Sequence, residues 1–498
     1  MKMKKATLLL MAILAPLVNA KDLTIGLNSD PDALDPDLSR TMVGREVFTS
    51  LFDKLIDIDQ QMNLKPMLAT SWEWVDDNKA LVMKLREGVT FHDGAAFNAE
   101  AVKFNLNRSM TLEGSRRKGE LNMVSSVEAI DEYTVKISLK QPFIPLLAAL
   151  ADRSGMMVSP KAASSDGKEF SRNPVGSGPF KFDSRVAQDR IVLNKYSDYW
   201  ETDHYHFDKV TYLPLPDATI RLANLQSGQL DIAERLSPSD VATVVSDSDL
   251  VLAEATGIGY NGITFNLGFG ANKDKTMAVK NPLVREAFEY AIDRQVINQV
   301  VFADQYLVDN QWVSDTSPFH APDLPTPTRD VEKAKSLLKQ AGYDSVDIEL
   351  MIANTTEATQ IGQVIQAMTG EAGINVKLKT MDFATSLQAQ SKGEYEAYIV
   401  GWSGRVDPDG NIYTFYGKDG ALNENGFADE EVQSLLVQAR GEADIEKRKQ
   451  FYASAMSKVL DIRPQLYLYH PKWQWGISTN IEGFKPYGDG MPRLRDVK

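Results

Sequence analysis

The chain has 498 residues and a formal net charge of −14, from 54 lysines and arginines against 68 acids, with no cysteine. That acidity excludes the basic footprint nucleic acid needs, and the missing thiols exclude disulfides, thiolate metal sites and lipid attachment through cysteine. With 43% hydrophobic residues, a chain this long exceeds what one core supports, and at least two lobes are expected.

The first twenty residues, MKMKKATLLLMAILAPLVNA, set Lys2, Lys4 and Lys5 before an apolar stretch from Ala6 to Leu17, then small-residue spacing at Val18 and Ala20. This is the anatomy of a secretory signal, with cleavage expected after Ala20. The stretch is too short to span a bilayer, and no later segment approaches spanning length. The expected location is a Gram-negative periplasm, with no stable membrane insertion after cleavage.

Beyond the signal, KALVMKLREGVTF (79–91) has strand composition, HDG turns the chain, and NAEAVKFNLNRSM reads as a helix capped by Asn98. The GSG at 176–178 resembles a phosphate-cradling loop, but no Lys-Ser or Lys-Thr follows and Pro179 interrupts the helix start such a loop requires. NPLVREAFEYAIDRQVINQVVF (281–302) predicts one helix, capped by Asn281, with Val284, Ala287, Phe288, Ala291 and Ile292 on its buried face. The Pro-rich PFHAPDLPTPTRD (318–330) is a connector, and DVEKAKSLLKQAG (330–342) predicts a helix stopped by Gly342. A β-α-β-α-β series follows at 347–353, 357–373, 374–380, 383–393 and 396–401. Crossovers of this length imply parallel strands, whose carboxyl ends gather ligands. Those ends are 354–356, 381–383 and Trp402 onward, which puts GWSGRVDPDG (401–410) on the ligand-facing edge.

Catalytic readings find little support. Asp407 and Asp409 suit a general acid and base, which makes a hydrolase the rival class, but DPDG is also ordinary turn chemistry. The five histidines lack metal-ligand spacing, His204 and His206 being the one close pair, and no serine sits in a G-x-S-x-G elbow. No metal, cofactor or enzymatic activity is expected.

The segment LATSWEWVDDNKALVMKLREGVTFHDGAAFNAEAVKFNLNR (68–108) resembles the signature of the family 5 extracellular solute-binding proteins, which serve ABC importers for dipeptides, oligopeptides, glutathione, nickel and some sugars. NPVGSGPF (173–180), NKYSDYW (194–200), LQSGQLDIA (225–233), NPLVREAFEYAIDR (281–294), KAKSLLKQAGY (333–343) and GWSGRVDPD (401–409) match in order. The resemblance implies an α/β, two-lobed Venus-flytrap protein. The first lobe is expected at 21–258, with an extra subdomain inserted at about 50–170, the second lobe at 259–476, and a C-terminal return to the first lobe at 477–498. Hinge crossings are expected near ATGIGYNG (255–262), whose glycines permit backbone rotation, and KWQWGIS (472–478). A small-molecule or peptide ligand and an inner-membrane ABC permease are the implied partners of a monomer.

In peptide-binding members of that family, an aspartate three positions after the tryptophan pairs with the ligand's amino group. Here Arg405 stands in that place, and a guanidinium repels an ammonium but grips a carboxylate. Nor does MIANTTEATQ carry the arginine that dipeptide-binding members use for the C-terminal carboxylate. Two arrangements are open. In one, Arg405 holds a ligand carboxylate while Asp407 or Asp409 takes the amine, which suits a reversed or acidic peptide, a D-amino-acid dipeptide, a glutathione-like ligand or an opine; an opine, a saccharide or another non-peptide solute on the same scaffold is the alternative to a peptide. In the other, Arg405 bridges to Asp407 or Asp409 and shapes the pocket. The candidate ligand-binding residues are Trp402, Ser403, Arg405, Asp407, Asp409, Asn411, Asn354, Thr355, Tyr260 and Asn261.

Overall fold

Two mixed sheets share the described residues unevenly, and both the first and the last of the described strands belong to the first sheet. The computed structural model describes residues 21–164, 167–275 and 277–498, so the expected export signal lies outside the described residues. The first sheet has seven strands in the order Leu250–Thr256, Lys472–Ser478, Ile232–Ala233, Asp22–Leu27, Lys209–Pro214, Arg190–Lys195 and Phe180–Val186. Its core packs Leu23, Ile25, Phe48, Phe180, Tyr212 and Trp475 with Leu494 and Val497 of the C-terminal tail. The second sheet orders Leu307–Val308, Gln465–His470, Tyr260–Phe265, Ala397–Trp402, Val346–Ala353 and Ile374–Met381. A third, antiparallel sheet of four strands between Ala69 and Leu139 has its own core, drawn from Leu55 to Met157.

The β-α-β-α-β series is present, with helices Thr356–Gly370 and Phe383–Lys392 between strands Val346–Ala353, Ile374–Met381 and Ala397–Trp402. The first of these strands is parallel to both others, as crossover length requires. The predicted helix at 281–302 is instead two, Pro282–Ala291 and Arg294–Phe302. Between them Ile292 is extended, and the Asp293 side chain accepts from the N–H groups of Gln295 and Val296, so a second cap starts a second helix. The strand expected over 79–91 is Ala80–Leu85, because Gly88 turns the chain with φ +76°.

Both crossings between the sheets are short. The first runs through Gly257–Gly259, between Thr256 and Tyr260. The second is Pro471, between His470 and Lys472. The stretch 472–478, expected as a hinge, is therefore a strand paired along its length with Leu250–Thr256, and the return to the first lobe begins at Lys472, not at 477. A ring nitrogen of His470, Nδ1, lies 2.5 Å from the Gly259 carbonyl oxygen and ties the crossings together. Among the described residues no helix is long and apolar enough to cross a membrane.

Candidate ligand site

Trp402 ends the strand that runs antiparallel to Tyr260–Phe265, with Trp402 opposite Tyr260 and Gly401 opposite Asn261. The following loop turns at Gly404, whose φ is +81° and whose missing Cβ would stand 2.4 Å from the carbonyl oxygen of Ile258. The same packing holds from the other side, because a Cβ on Gly259 would lie 2.1 Å from the Trp402 carbonyl oxygen. The hinge glycine at 259 thus serves close backbone approach to the loop; it is not among the positive-φ glycines.

Asn411 fixes the loop from the helix Asp409–Tyr416. Its Oδ1 accepts from Trp402 Nε1–H at 3.0 Å and from the Arg405 N–H at 2.7 Å, and its Nδ2 donates to the Arg405 carbonyl at 2.9 Å. The Arg405 guanidinium lies 4.5 Å over the Trp402 ring, and Phe415 meets that ring edge-on at 5.2 Å. Arg405 also donates to the Gly404 carbonyl at 2.7 Å and to Ser403 Oγ at 3.4 Å.

The ion pairs differ from the arrangement in which Arg405 bridges to Asp407 or Asp409. Asp407 takes a bidentate grip from Arg448, at 2.8 and 2.9 Å, and Asp409 faces Arg440 at 3.0 Å. Arg405 meets neither aspartate. Its carboxylate partner is Asp152, 3.7 Å away, from the part of the chain that belongs to the third core. The arginine is also less solvent-facing than a loop position suggests, with its side chain 20% exposed. Burial raises the Asp409 carboxyl to about 6 despite Arg440.

Asp152 anchors a cluster that sequence reasoning missed. Arg45 approaches it at 3.0 Å and Arg153 at 3.9 Å, while Arg117 pairs with Glu120. Burial alone would raise the Asp152 carboxyl, but Arg45, Arg153, Arg405 and Arg117 together hold it far below the usual carboxylate range. Burial, reinforced by repulsion from Arg117, pushes Arg153 down to about 9. The one sequence signal was the pair Asp152-Arg153 inside the otherwise apolar PLLAALADRSGMMV. Beside this cluster, Val406 packs on the third core, and the Ile144 N–H donates to the Arg440 carbonyl at 2.9 Å. The lobes are therefore closed on one another at the loop.

The other candidates divide. Tyr260 is buried against Tyr467 and Phe415, and its hydroxyl and Asn261 Oδ1 are buried without a hydrogen-bond partner. Asn354 and Thr355 are exposed at the end of Val346–Ala353, where Thr355 caps the next helix, and nothing brings them to Arg405. Among the described residues no group of three His, Asp or Glu side chains suits a metal ion.

Comparison with known proteins agrees with this architecture over nearly the whole chain. The glutathione-binding protein GsiB of Escherichia coli O157:H7 is 29% identical over 478 residues, covering 93% of this chain and 92% of that protein. The Salmonella typhi protein of the same name is 29% identical over 482 residues, 94% and 93% of the two chains. Among solved structures, the periplasmic binding protein DppA of Helicobacter pylori, in complex with the peptide STSA, superposes with a TM-score of 0.85 at 25% identity, covering 96% and 98% of the two chains. AgaA of A. tumefaciens R10, in complex with agropinic acid, gives 0.83 at 26% identity and the same coverage. The model of the bacterial extracellular solute-binding proteins, family 5, matches residues 63–423, and the chain belongs to that family of ABC-importer binding proteins.

Proposed function

We propose that the protein captures a peptide or peptide-like solute with a free carboxylate between its lobes, in the periplasm, and delivers it as a monomer to an inner-membrane ABC permease. The observation that carries this reading is Arg405, on the second-lobe loop, reaching Asp152 across the cleft beside a partly exposed Trp402. The glutathione-binding relatives and the peptide-bound DppA favour a peptide-like ligand. Asp407 and Asp409 are engaged by Arg448 and Arg440, which leaves the amine of such a ligand to other groups and disfavours an acid-base pair for hydrolysis. An opine is the second reading, favoured by the likeness to AgaA with agropinic acid.

Calorimetric titration with glutathione, dipeptides and agropinic acid, paired with small-angle scattering, tests the proposal. Saturable binding with a smaller radius of gyration is the expected result, because a ligand that prefers the closed form shifts the population toward it. Turnover of a bound peptide, lost in Asp407→Asn with affinity retained, would replace the receptor by a hydrolase.

A further inference from the structure

The charges that meet at the cleft do not balance. Arg45 comes from the helix Met42–Leu51 of the first core, Arg117 and Arg153 from the segment of the third core, and Arg405 from the second lobe. Two carboxylates pair with these four guanidinium groups, Asp152 and Glu120; of the other carboxyl groups near Arg45, Asp489 is held by Arg493 and burial pushes Glu46 far up toward its neutral form. Arg45, Arg117 and Arg153 are 4–8% exposed, so water does little to screen them. The Nε–H groups of Arg117 and Arg153 are buried with no hydrogen-bond partner. Uncompensated buried charge is costly, and closure adds to it, because Arg405 travels with the second lobe into a cluster that is already positive.

We infer that the site selects solutes carrying two neighbouring negative charges at one end, such as a peptide ending in aspartate or glutamate, and that this dianion is what makes closure favourable. The inference rests on the receptor reading and adds the ligand's charge class. A single carboxylate leaves one guanidinium unmatched; a second neutralises the set, supplies acceptors for the unpaired donors and joins all three parts of the chain through one group. Asp152 organises the arginines, and an incoming dianion shares them. Closure of the empty cleft buries two unmatched positive charges, whereas closure on a dianion buries none, and that difference is the differential affinity a population shift requires. The lowered protonation range of Arg153, set by burial and by Arg117, is the signature expected of an arginine short of counter-charge.

The test compares alanyl-glutamate with its isostere alanyl-glutamine, titrated into the full mature chain, with glutathione and dialanine as further probes. Alanyl-glutamate is expected to bind roughly ten- to a hundredfold tighter than alanyl-glutamine, the range for hydrogen bonds to a charged group. The ratio should fall toward one in Arg153→Gln and in Arg405→Gln, the second variant covering the case in which the first fails to fold. Equal affinities for the two dipeptides, tighter binding of alanyl-glutamine, or binding of dialanine or glutathione alone would overturn the charge class and leave the receptor standing. Failure of all four probes to bind or to contract the protein would overturn both.

Discussion

Replacing Asp407 by asparagine separates a structural role for this carboxylate from a role in binding. Its two oxygens are gripped by Arg448, and one of them also accepts the Asp409 N–H at 2.9 Å, which opens the helix Asp409–Tyr416. Arg448 is 5% exposed, donates Nε–H to the Ala439 carbonyl at 2.8 Å, and lies against Tyr452 and Phe319. Asparagine keeps the shape, removes the charge and turns an N–H toward the guanidinium, leaving a buried cation without its counterion. Removal of one partner from a buried pair costs about 3–5 kcal/mol. At about 2–4 °C per kcal/mol for a unit of lobe size, the second-lobe transition should fall by roughly 6–20 °C. Differential scanning calorimetry at neutral pH reads that shift, and titration of the folded variant reads affinity. The double variant Asp407→Asn with Arg448→Met should recover most of the loss, since an apolar replacement leaves no orphaned charge. A melting point close to the parent's combined with lost binding would refute this reasoning and make Asp407 a ligand contact.

Local signals in the sequence identified elements well where one residue decides the geometry. Asn98 caps its helix by accepting from Ala101 N–H, Asn281 caps Pro282–Ala291 from Leu283 N–H, and Gly342 follows the end of Val331–Gln340 at φ +89°. The parallel order of the β-α-β-α-β unit followed from crossover length. The failures are of another kind. Hydrophobic periodicity continues through Ile292, so the break at Asp293 was invisible to a stripe count, although its cap residue was present. The glycines at 176 and 178 serve neither phosphate nor flexibility: a Cβ at either would come within 3 Å of the backbone of Leu51. Contacts between segments far apart in sequence cannot be read from spacing, which is why Asp152, 253 residues before Arg405, was missed. The same holds for Arg448 and Arg440, which claim the two aspartates of DPDG.

These long-range contacts give GWSGRVDPDG a physical meaning. Gly404 and Gly259 let the loop and the first crossing touch backbone to backbone, so the hinge cannot move without moving the strand end that carries Trp402. Asp407 and Asp409 root the far side of the loop in helices Ile445–Ile462 and Glu430–Gly441 through Arg448 and Arg440. Arg405 is held between these fixed ends by Asn411 and Trp402, with its guanidinium directed at the opposite lobe. Pre-organisation of this kind lowers the entropy lost when a charged side chain meets its partner.

Four further outcomes follow from the same geometry. Gly259→Ala sets a Cβ against the Trp402 carbonyl, a backbone atom that must shift, and should cost about 1–3 kcal/mol of stability while reducing the ligand-dependent contraction seen by scattering. Asn411→Ala removes three hydrogen bonds from the loop and should weaken ligand binding by roughly ten- to a hundredfold in titration, at the usual cost of about 1 kcal/mol per bond with partial rehydration. Burial raises Asp53 from 3.8 to about 7 against the bonds it accepts from Trp200 and Tyr199, so the folded chain holds a proton the unfolded chain has lost between those values. Stability should therefore decline as pH rises from about 4 to 7, and urea midpoints of Asp53→Asn should show a flatter slope over that window. Arg405→Asp, which restores the residue type found at this place in peptide-binding members, changes the cleft from four cations and two anions to three of each. With charge balanced before any ligand arrives, a dianion gains nothing by entering, and the preference for alanyl-glutamate over alanyl-glutamine should vanish or reverse. An undiminished preference in that variant would mean that the selecting charge lies elsewhere than at position 405, since Arg45, Arg117 and Arg153 set against Asp152, Glu120 and the introduced carboxylate leave no excess to be neutralised.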